Sequence, residues 1–201
     1  MIMPFLFNIR DKVRPLNQLT DEQLMQRVAA KDDDRAFDEL YHRHARRVMG
    51  FFYRQMNRDE ERASDLMQDT LMRVWTARQR WNADTEFLPW LFTIAFNICK
   101  NEYRHNGYKA DYEQHVLHTQ DEDCADDAEL EIDAKFFDKA LQSVLDSMPP
   151  EMRTLFSLRF EEELSVPQIS VVMGIPQGTV KSRIHSLTRT LKEKLKEYGN
   201  I

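Results

Sequence analysis

The sequence has few glycines and cysteines, and it has no long apolar run. Only five of its 201 residues are glycine, and sustained Val/Ile/Thr alternation is absent, which argues against a β fold and predicts an all-α one. Two cysteines without paired spacing give no disulfide framework and suit a reducing compartment. No apolar run is long enough to span a bilayer, and the N-terminus does not resemble a secretory signal. We therefore expect a soluble, cytoplasmic protein.

Negative charge is concentrated in one segment. The chain carries a net charge of -6, yet residues 111–133 alone contain ten Asp/Glu and no Lys/Arg. Because this stretch is also poor in apolar residues, we predict a flexible acidic linker over 108–133. His115, His118 and Cys124 lie within it, but no clear fourth ligand accompanies them. We therefore predict neither a metal site nor a cofactor.

Helical periodicity divides the rest of the chain into two small domains. The predicted segments are an N-terminal arm over 1–19, a helical domain over 20–107, the linker over 108–133 and a second helical domain over 134–201. In the first domain we predict helices beginning at Thr20, over 34–56, over 59–80 and from Leu88. The arginines of the second helix are interpreted as a solvated face; they are Arg43, Arg46, Arg47 and Arg54. In the second domain, an apolar set extending to Phe160 is expected to be buried.

The C-terminal domain carries the pattern of a helix-turn-helix. Ser165 and Gln168 form a capping box, Gly174 ends that short helix, and a basic amphipathic helix follows. Residues 176–196 include six Lys/Arg and one Glu. Their donors suit phosphates and base edges, so we predict a DNA-binding helix. A merely solvated basic helix is the alternative.

The third predicted helix has a second face that differs from its buried one. Asp65, Gln68, Asp69 and Met72 recur at spacings of three and four, so they share one side. Methionine adapts to partner surfaces and is unusual among carboxylates on a solvated face. We interpret this side as a protein-docking face; the alternative is a polar face with one stray methionine.

The fourth predicted helix has an outward stripe of an aromatic residue, amides and cations. This composition suits stacking of unpaired bases and contact with a nucleic-acid backbone. The alternative is a half-buried tryptophan beside solvated amides. The stripe consists of Trp90, Thr93, Asn97, Lys100, Asn101 and Arg104.

Three segments together resemble the extracytoplasmic-function family of bacterial RNA polymerase sigma factors. DLMQDTLMRVW (65–75) is similar to the segment that docks on the β′ clamp helices of the polymerase. LPWLFTIAFNICKNEYR (88–104) resembles the helix that reads and melts the promoter -10 element. LSVPQISVVMGIPQGTVKSR (164–183) resembles the helix-turn-helix that reads the -35 element.

The resemblance implies core RNA polymerase (β′ clamp helices and β flap), promoter DNA and an anti-sigma factor as partners. It implies three sets of site residues. Asp65, Gln68, Asp69 and Met72 would bind the polymerase. Asn82, Asp84, Trp90, Asn97, Lys100, Asn101 and Arg104 would bind the -10 element. Gly178, Thr179, Lys181, Ser182, Arg183, His185 and Arg189 would bind the -35 element.

Two other classes of function were weighed. A helix-turn-helix repressor or activator acting on duplex DNA without core polymerase would explain residues 164–195, but neither the Asp65–Met72 face nor the Trp90 stripe. An enzyme is not expected, because the sequence has no phosphate-cradling glycine loop, nucleophile elbow or paired metal-ligand motif.

Overall fold

The computed structural model describes residues 15–105 and 129–196, and these contain α-helices and no strand. The helices are α1 Asp21–Lys31, α2 Asp34–Gln55, α3 Glu60–Ala77, α4 Phe87–His105, α5 Glu129–Asp146, α6 Pro150–Phe156, α7 Val166–Met173 and α8 Gln177–Leu195. Short helical turns are present at Leu16–Gln18, Arg78–Arg80 and, as a π-turn, Ser157–Glu161. The predicted all-α class is confirmed. None of the described helices is both long and apolar enough for a membrane span.

The first helix begins where the sequence predicts. The Thr20 hydroxyl accepts from the Gln23 backbone N–H at 3.3 Å, while the Thr20 N–H donates to the Gln23 side chain at 3.0 Å. This capping box satisfies two backbone donors that a helix start would otherwise leave without partners. Helix α1 ends at Asp32, which adopts the left-handed conformation at φ 52°.

The core of the N-terminal half forms around α2, which packs on α1 and α3. Phe51 of α2 lies edge-on to Phe52 and to Phe92 of α4, with ring centroids 5.4 and 5.6 Å apart. All three rings are buried, and such edge-to-face pairs add to the stabilisation from apolar burial. This packing fixes α3 and α4, which carry two of the predicted surfaces.

The arm predicted over 1–19 is too long at its C-terminal end. Leu19 is only 3% exposed, and the Arg43 guanidinium donates to the carbonyls of Leu19 and Leu16 at 2.8 and 3.2 Å. Residues 15–19 therefore pack on the first domain. The prediction failed because the anchor is an arginine 24 positions away, which local periodicity does not reveal.

The linker predicted over 108–133 is also too long. Helix α5 begins at Glu129, so the last five residues assigned to the linker are helical. The density of acidic residues suggested a linker, but carboxylates in the first turn of a helix are favourable because they face the positive end of its dipole. The remaining predicted linker positions, with His115, His118 and Cys124, lie outside the described residues.

The helix-turn-helix forms as its sequence predicts. The Ser165 hydroxyl accepts from the Gln168 N–H at 3.4 Å, and Gly174 ends α7 in the left-handed conformation at φ 66°. The Ser170 hydroxyl donates to the Ile175 carbonyl at 2.6 Å and closes the turn. Phe160 departs from the expected packing: it lies within the π-turn and is 46% exposed.

The two halves of the chain pack against each other. Helix α4 lies against α7, and α2 lies against α6. No local pattern in the sequence predicts this contact between the halves.

Candidate functional site

The predicted docking face of α3 is open. Asp65 and Gln68 are exposed, and Met72 is 61% exposed, the opposite side of the helix being buried. Asp69 is half-buried and forms an ion pair with Arg73 at 2.9 Å along the same helix. The face thus presents an apolar side chain among acidic and amide groups, with no described residue covering it.

The outward stripe of α4 is also present. Trp90 is half-buried, with its ring centroid 6.2 Å from that of Phe87. Asn97, Lys100, Asn101 and Arg104 are exposed. The Lys100 ammonium lies 5.4 Å above the ring of Phe96, which is itself buried. A partly exposed aromatic residue therefore shares this helix with four exposed polar side chains.

The loop before α4 has an ordered turn. The Asn82 side-chain oxygen accepts from the Asp84 N–H at 3.1 Å, and the Asn82 carbonyl accepts from the Thr85 N–H at 2.9 Å. This is an Asx turn, in which an asparagine side chain replaces a backbone partner. Both Asn82 and Asp84 remain exposed, so the loop is shaped in advance while its polar groups stay accessible.

The basic helix α8 presents most of its predicted set to solvent. Its buried side consists of Val180, Leu187 and Leu195. The exposed members are Gly178, Lys181, Ser182, His185 and Arg189, while Thr179 and Arg183 are half-buried.

Arg183 differs from Ser182 and Arg189 because its partner lies on another helix. It donates to the Glu151 carboxylate of α6 at 2.8 Å. The pair holds one donor of α8 in a defined position beside α6. Arg189 lies 3.9 Å from Glu193 of its own helix.

The sequence interpretation missed the role of the α2 arginines. Arg47 forms an ion pair with Glu162 at 2.7 Å, and Arg54 contacts Glu161 with its Nε 3.0 Å from the carboxylate. Arg43 instead pairs with Asp21 at 2.9 Å. The partners of Arg47 and Arg54 lie 115 and 107 positions away, so no local pattern could have found them.

Burial sets the protonation of several groups. It raises the pKa of the Cys99 thiol to about 12, so this cysteine is no thiolate nucleophile at neutral pH. Burial also raises the pKa of the Glu162 carboxyl, although the Arg47 charge opposes it. Within residues 15–105 and 129–196, no three His, Cys, Asp or Glu side chains are grouped so that they could hold a metal ion.

Comparison with known proteins matches both halves of the chain. Residues 40–108 match the family model of sigma-70 region 2, and residues 138–186 match that of sigma-70 region 4. RNA polymerase sigma factor CarQ of Myxococcus xanthus is 34% identical, over 81% of this chain and 90% of its own length. The ECF RNA polymerase sigma factor SigE of Mycolicibacterium smegmatis is 30% identical, over 96% of this chain and 75% of its own length.

Two solved structures share the fold. CnrH, solved in complex with the cytosolic domain of CnrY, has a TM-score of 0.65 and 22% identity, over 88% of this chain and 97% of that one. RpoE of Bartonella quintana, solved with the anti-sigma factor NepR, has a TM-score of 0.61 and 22% identity, over 80% of this chain and 96% of that one. Because the matches include both halves, they do not support the duplex-only repressor or activator.

Proposed function

The chain belongs to the extracytoplasmic-function group of the sigma-70 family, and from that premise we propose how its surfaces divide the work of promoter selection. The protein binds core RNA polymerase and directs it to promoters with two separated elements. Helix α3 docks on the polymerase, α4 and the loop before it read and melt the -10 element, and α8 reads the -35 element. The protein contributes binding energy and no chemistry of its own.

The observation that carries this proposal is the exposed face of α3. Met72 is 61% exposed beside Asp65 and Gln68, whereas the other side of the same helix is buried. A partner surface that covers the exposed methionine lowers the free energy of the complex. The carboxylates favour a partner with cationic groups. The β′ clamp helices are the proposed partner, and the β flap would contact the C-terminal half.

The -10 assignment depends on α4 and its preceding loop. The ordered turn at Asn82 and Asp84 would receive a flipped base, and the partly exposed Trp90 would stack on a neighbouring one. Asn97, Lys100, Asn101 and Arg104 would contact the backbone. Each stacked base contributes on the order of 1–3 kcal/mol, which offsets the cost of unstacking the duplex.

The -35 assignment depends on α8. Lys181, Ser182 and His185 are exposed near its N-terminal end, the part of a recognition helix that enters the major groove. Gly178, Thr179 and Arg189 would contact the flanking backbone. Arg183, held by Glu151, would present an oriented guanidinium to a base edge, and a good bidentate contact of this kind discriminates by about 1–3 kcal/mol.

An anti-sigma factor is the proposed regulator. The proposal is supported by RpoE of Bartonella quintana, whose structure was solved in complex with the anti-sigma factor NepR. Such a partner would cover the exposed α3 face.

A run-off transcription assay with core polymerase and a promoter library tests the proposal. We expect transcripts whose start sites share two spaced elements. Met72→Asp should abolish them, because it replaces the apolar contact with a further carboxylate that is costly to desolvate. The free protein should keep its helical content, since this side chain contributes little to the core.

Tyr41→Asp is the matched control. Tyr41 is also a partly exposed apolar side chain, 39% exposed, but it lies on α2. It should leave transcription at the wild-type level. Equal losses from the two variants, or no transcripts from wild-type protein with active core enzyme, would overturn the proposed docking function.

A further inference from the structure

The start of α4 is held by a side chain from a different helix. The backbone N–H of Phe87, the first residue of α4, donates to the Glu22 carboxylate of α1 at 3.1 Å. The two residues lie 65 positions apart, and Glu22 is half-buried. Because the first N–H groups of a helix have no partner within that helix, Glu22 acts as an N-cap supplied from outside.

The residues around the start of α4 do not supply a carboxylate to it. The first turn of α4 contains no acidic residue, and Pro89 within that turn has no N–H. The carboxylate of Glu86, the residue just before the helix, contacts Gln168 of α7. Glu22 therefore provides both a hydrogen-bond acceptor and a negative charge at the positive end of the α4 dipole.

The neighbouring carboxylate of α1 is connected to the aromatic side chains at the same place. Asp21 lies 2.8 Å from His44 Nε2, and the His44 ring packs on the ring of Phe87 with centroids 5.3 Å apart. The Phe87 ring in turn lies 6.2 Å from that of Trp90. His44 and Phe87 are buried, whereas Trp90 is half-buried. The first turn of α1 is thus linked through two buried rings to the outward aromatic residue of α4.

The capped helix start also adjoins the loop that precedes α4. The ordered turn of this loop spans Asn82–Thr85, and Phe87 lies just beyond it. If the first turn of α4 frayed, both this turn and Trp90 would lose their fixed positions, because both are attached to it. A surface that is held in its binding arrangement before contact loses less conformational freedom when it binds.

We propose that Glu22 is a positioning residue for recognition of the -10 element. It acts through α4: by fixing the start of that helix, it holds the Asn82–Thr85 turn and Trp90 in the arrangement that receives unpaired bases. This inference rests on the proposed -10 function of α4. The cap itself does not, and it is measurable on the free protein.

Amide exchange on the full chain measures the cap. Glu22→Ala should speed exchange of the Phe87 amide about fivefold, the change expected when a typical N-cap acceptor is lost. Glu22→Gln retains an oxygen acceptor and should keep most of the protection. Unchanged exchange in Glu22→Ala overturns the cap, and equal acceleration in Glu22→Gln contradicts its hydrogen-bond basis.

Asp34→Ala is the matched control. Asp34 is an exposed carboxylate in the first turn of α2, so its removal changes the net charge and a helix start in the same way. It should leave exchange of the Phe87 amide unchanged. Equal acceleration in Asp34→Ala and Glu22→Ala would overturn the specific role of Glu22.

Run-off transcription tests the positioning role on three templates. They are a promoter taken from the library, the same promoter with its -10 element replaced, and the same promoter with its -35 element replaced. With core polymerase saturated by the protein, Glu22→Ala should lower output from the intact promoter about fivefold, because the competent fraction of the -10 surface falls. Glu22→Gln should restore most of this output, and Asp34→Ala should match wild type.

The two altered promoters separate positioning from a general loss of folded protein. The loss caused by Glu22→Ala should persist when the -35 element is replaced and disappear when the -10 element is replaced, since two groups that act together are not additive. An equal loss on all three templates, or no loss on the intact promoter, overturns the positioning role even if the cap is present. Absence of wild-type transcripts with active core enzyme would instead count against the proposed function.

Discussion

Replacing Arg43 with methionine should destabilise the N-terminal half by about 2–3 kcal/mol. The guanidinium donates to the carboxylates of Asp21 and Glu39 at 2.9 and 2.8 Å and to two backbone carbonyls at 2.8 and 3.2 Å. A charge-assisted hydrogen bond contributes about 1.5–3 kcal/mol. Because these bonds share one side chain that is 25% exposed, we expect their total contribution to be well below the sum of separate bonds. Methionine retains the apolar stem, which isolates the polar contribution.

Urea unfolding followed by tryptophan fluorescence is the assay. The three tryptophans, Trp75, Trp81 and Trp90, all lie in the N-terminal half, so the signal reports that half. With an m-value of roughly 1–1.5 kcal/mol/M, the midpoint should fall by about 2 M. Arg46→Met, on an exposed position of the same helix, is the control and should shift it little. Equal shifts in the two variants would refute the reasoning.

The loss of stability caused by Arg43→Met should also depend on pH. Burial of Asp21 opposes ionisation, but the hydrogen bonds and charges of His44 and Arg43 outweigh it and hold the pKa of the Asp21 carboxyl below its ordinary 3.8. A carboxyl with a lowered pKa stabilises the fold above its unfolded pKa and loses that contribution as the pH falls through the folded value. The difference between Arg43→Met and wild type should therefore shrink below about pH 3.8.

Three further changes have defined outcomes. Gly174→Ala should destabilise α7 and α8 by about 1–2 kcal/mol, because a residue with a Cβ is strained at φ 66°. The added Cβ would have no atom within 4 Å, so the cost is one of backbone conformation and not of a clash. Unchanged amide exchange in those helices would contradict this. Ser165→Ala should cost about 1 kcal/mol through loss of the capping box, seen as faster amide exchange at the start of α7, whereas Ser165→Asp should retain the cap. Lys181→Ala should make the slope of log K for duplex binding against log salt concentration shallower by about 0.9, as expected for one lost phosphate contact. An unchanged slope would show that Lys181 does not contact a phosphate.

Local signals predicted much of the fold. The capping boxes at Thr20 and Ser165 and the glycine at 174 mark helix ends, because their effect depends on neighbours three or four residues away. The buried sides of α3 and α8 followed from apolar spacing. The exposed side of α3 and the outward stripe of α4 were also predicted, because a helix with one buried side must present the other.

Long-range charge pairing could not be predicted in the same way. Arg47 and Arg54 were interpreted as solvated because isolated arginines usually are, and their carboxylate partners lie more than 100 positions along the chain. Phe160 was expected to be buried, but it lies within the π-turn, whose wider turn rotates it away from the buried side that Ser157 and Leu158 occupy. The linker boundary was misplaced because acidic composition is typical both of linkers and of helix N-termini.

Three carboxylates of the C-terminal half pair with arginines of the N-terminal half, and this pairing has a consequence for any state in which the halves are separated. Opening uncovers Asp146, Glu161 and Glu162 on a domain whose α8 carries exposed Lys181 and Arg189. The freed domain then carries exposed cations on α8, which the phosphate backbone attracts, and uncovered carboxylates, which it repels. Productive encounters with DNA are thereby enriched in orientations that present α8 first, and this rate advantage should decrease as ionic strength rises.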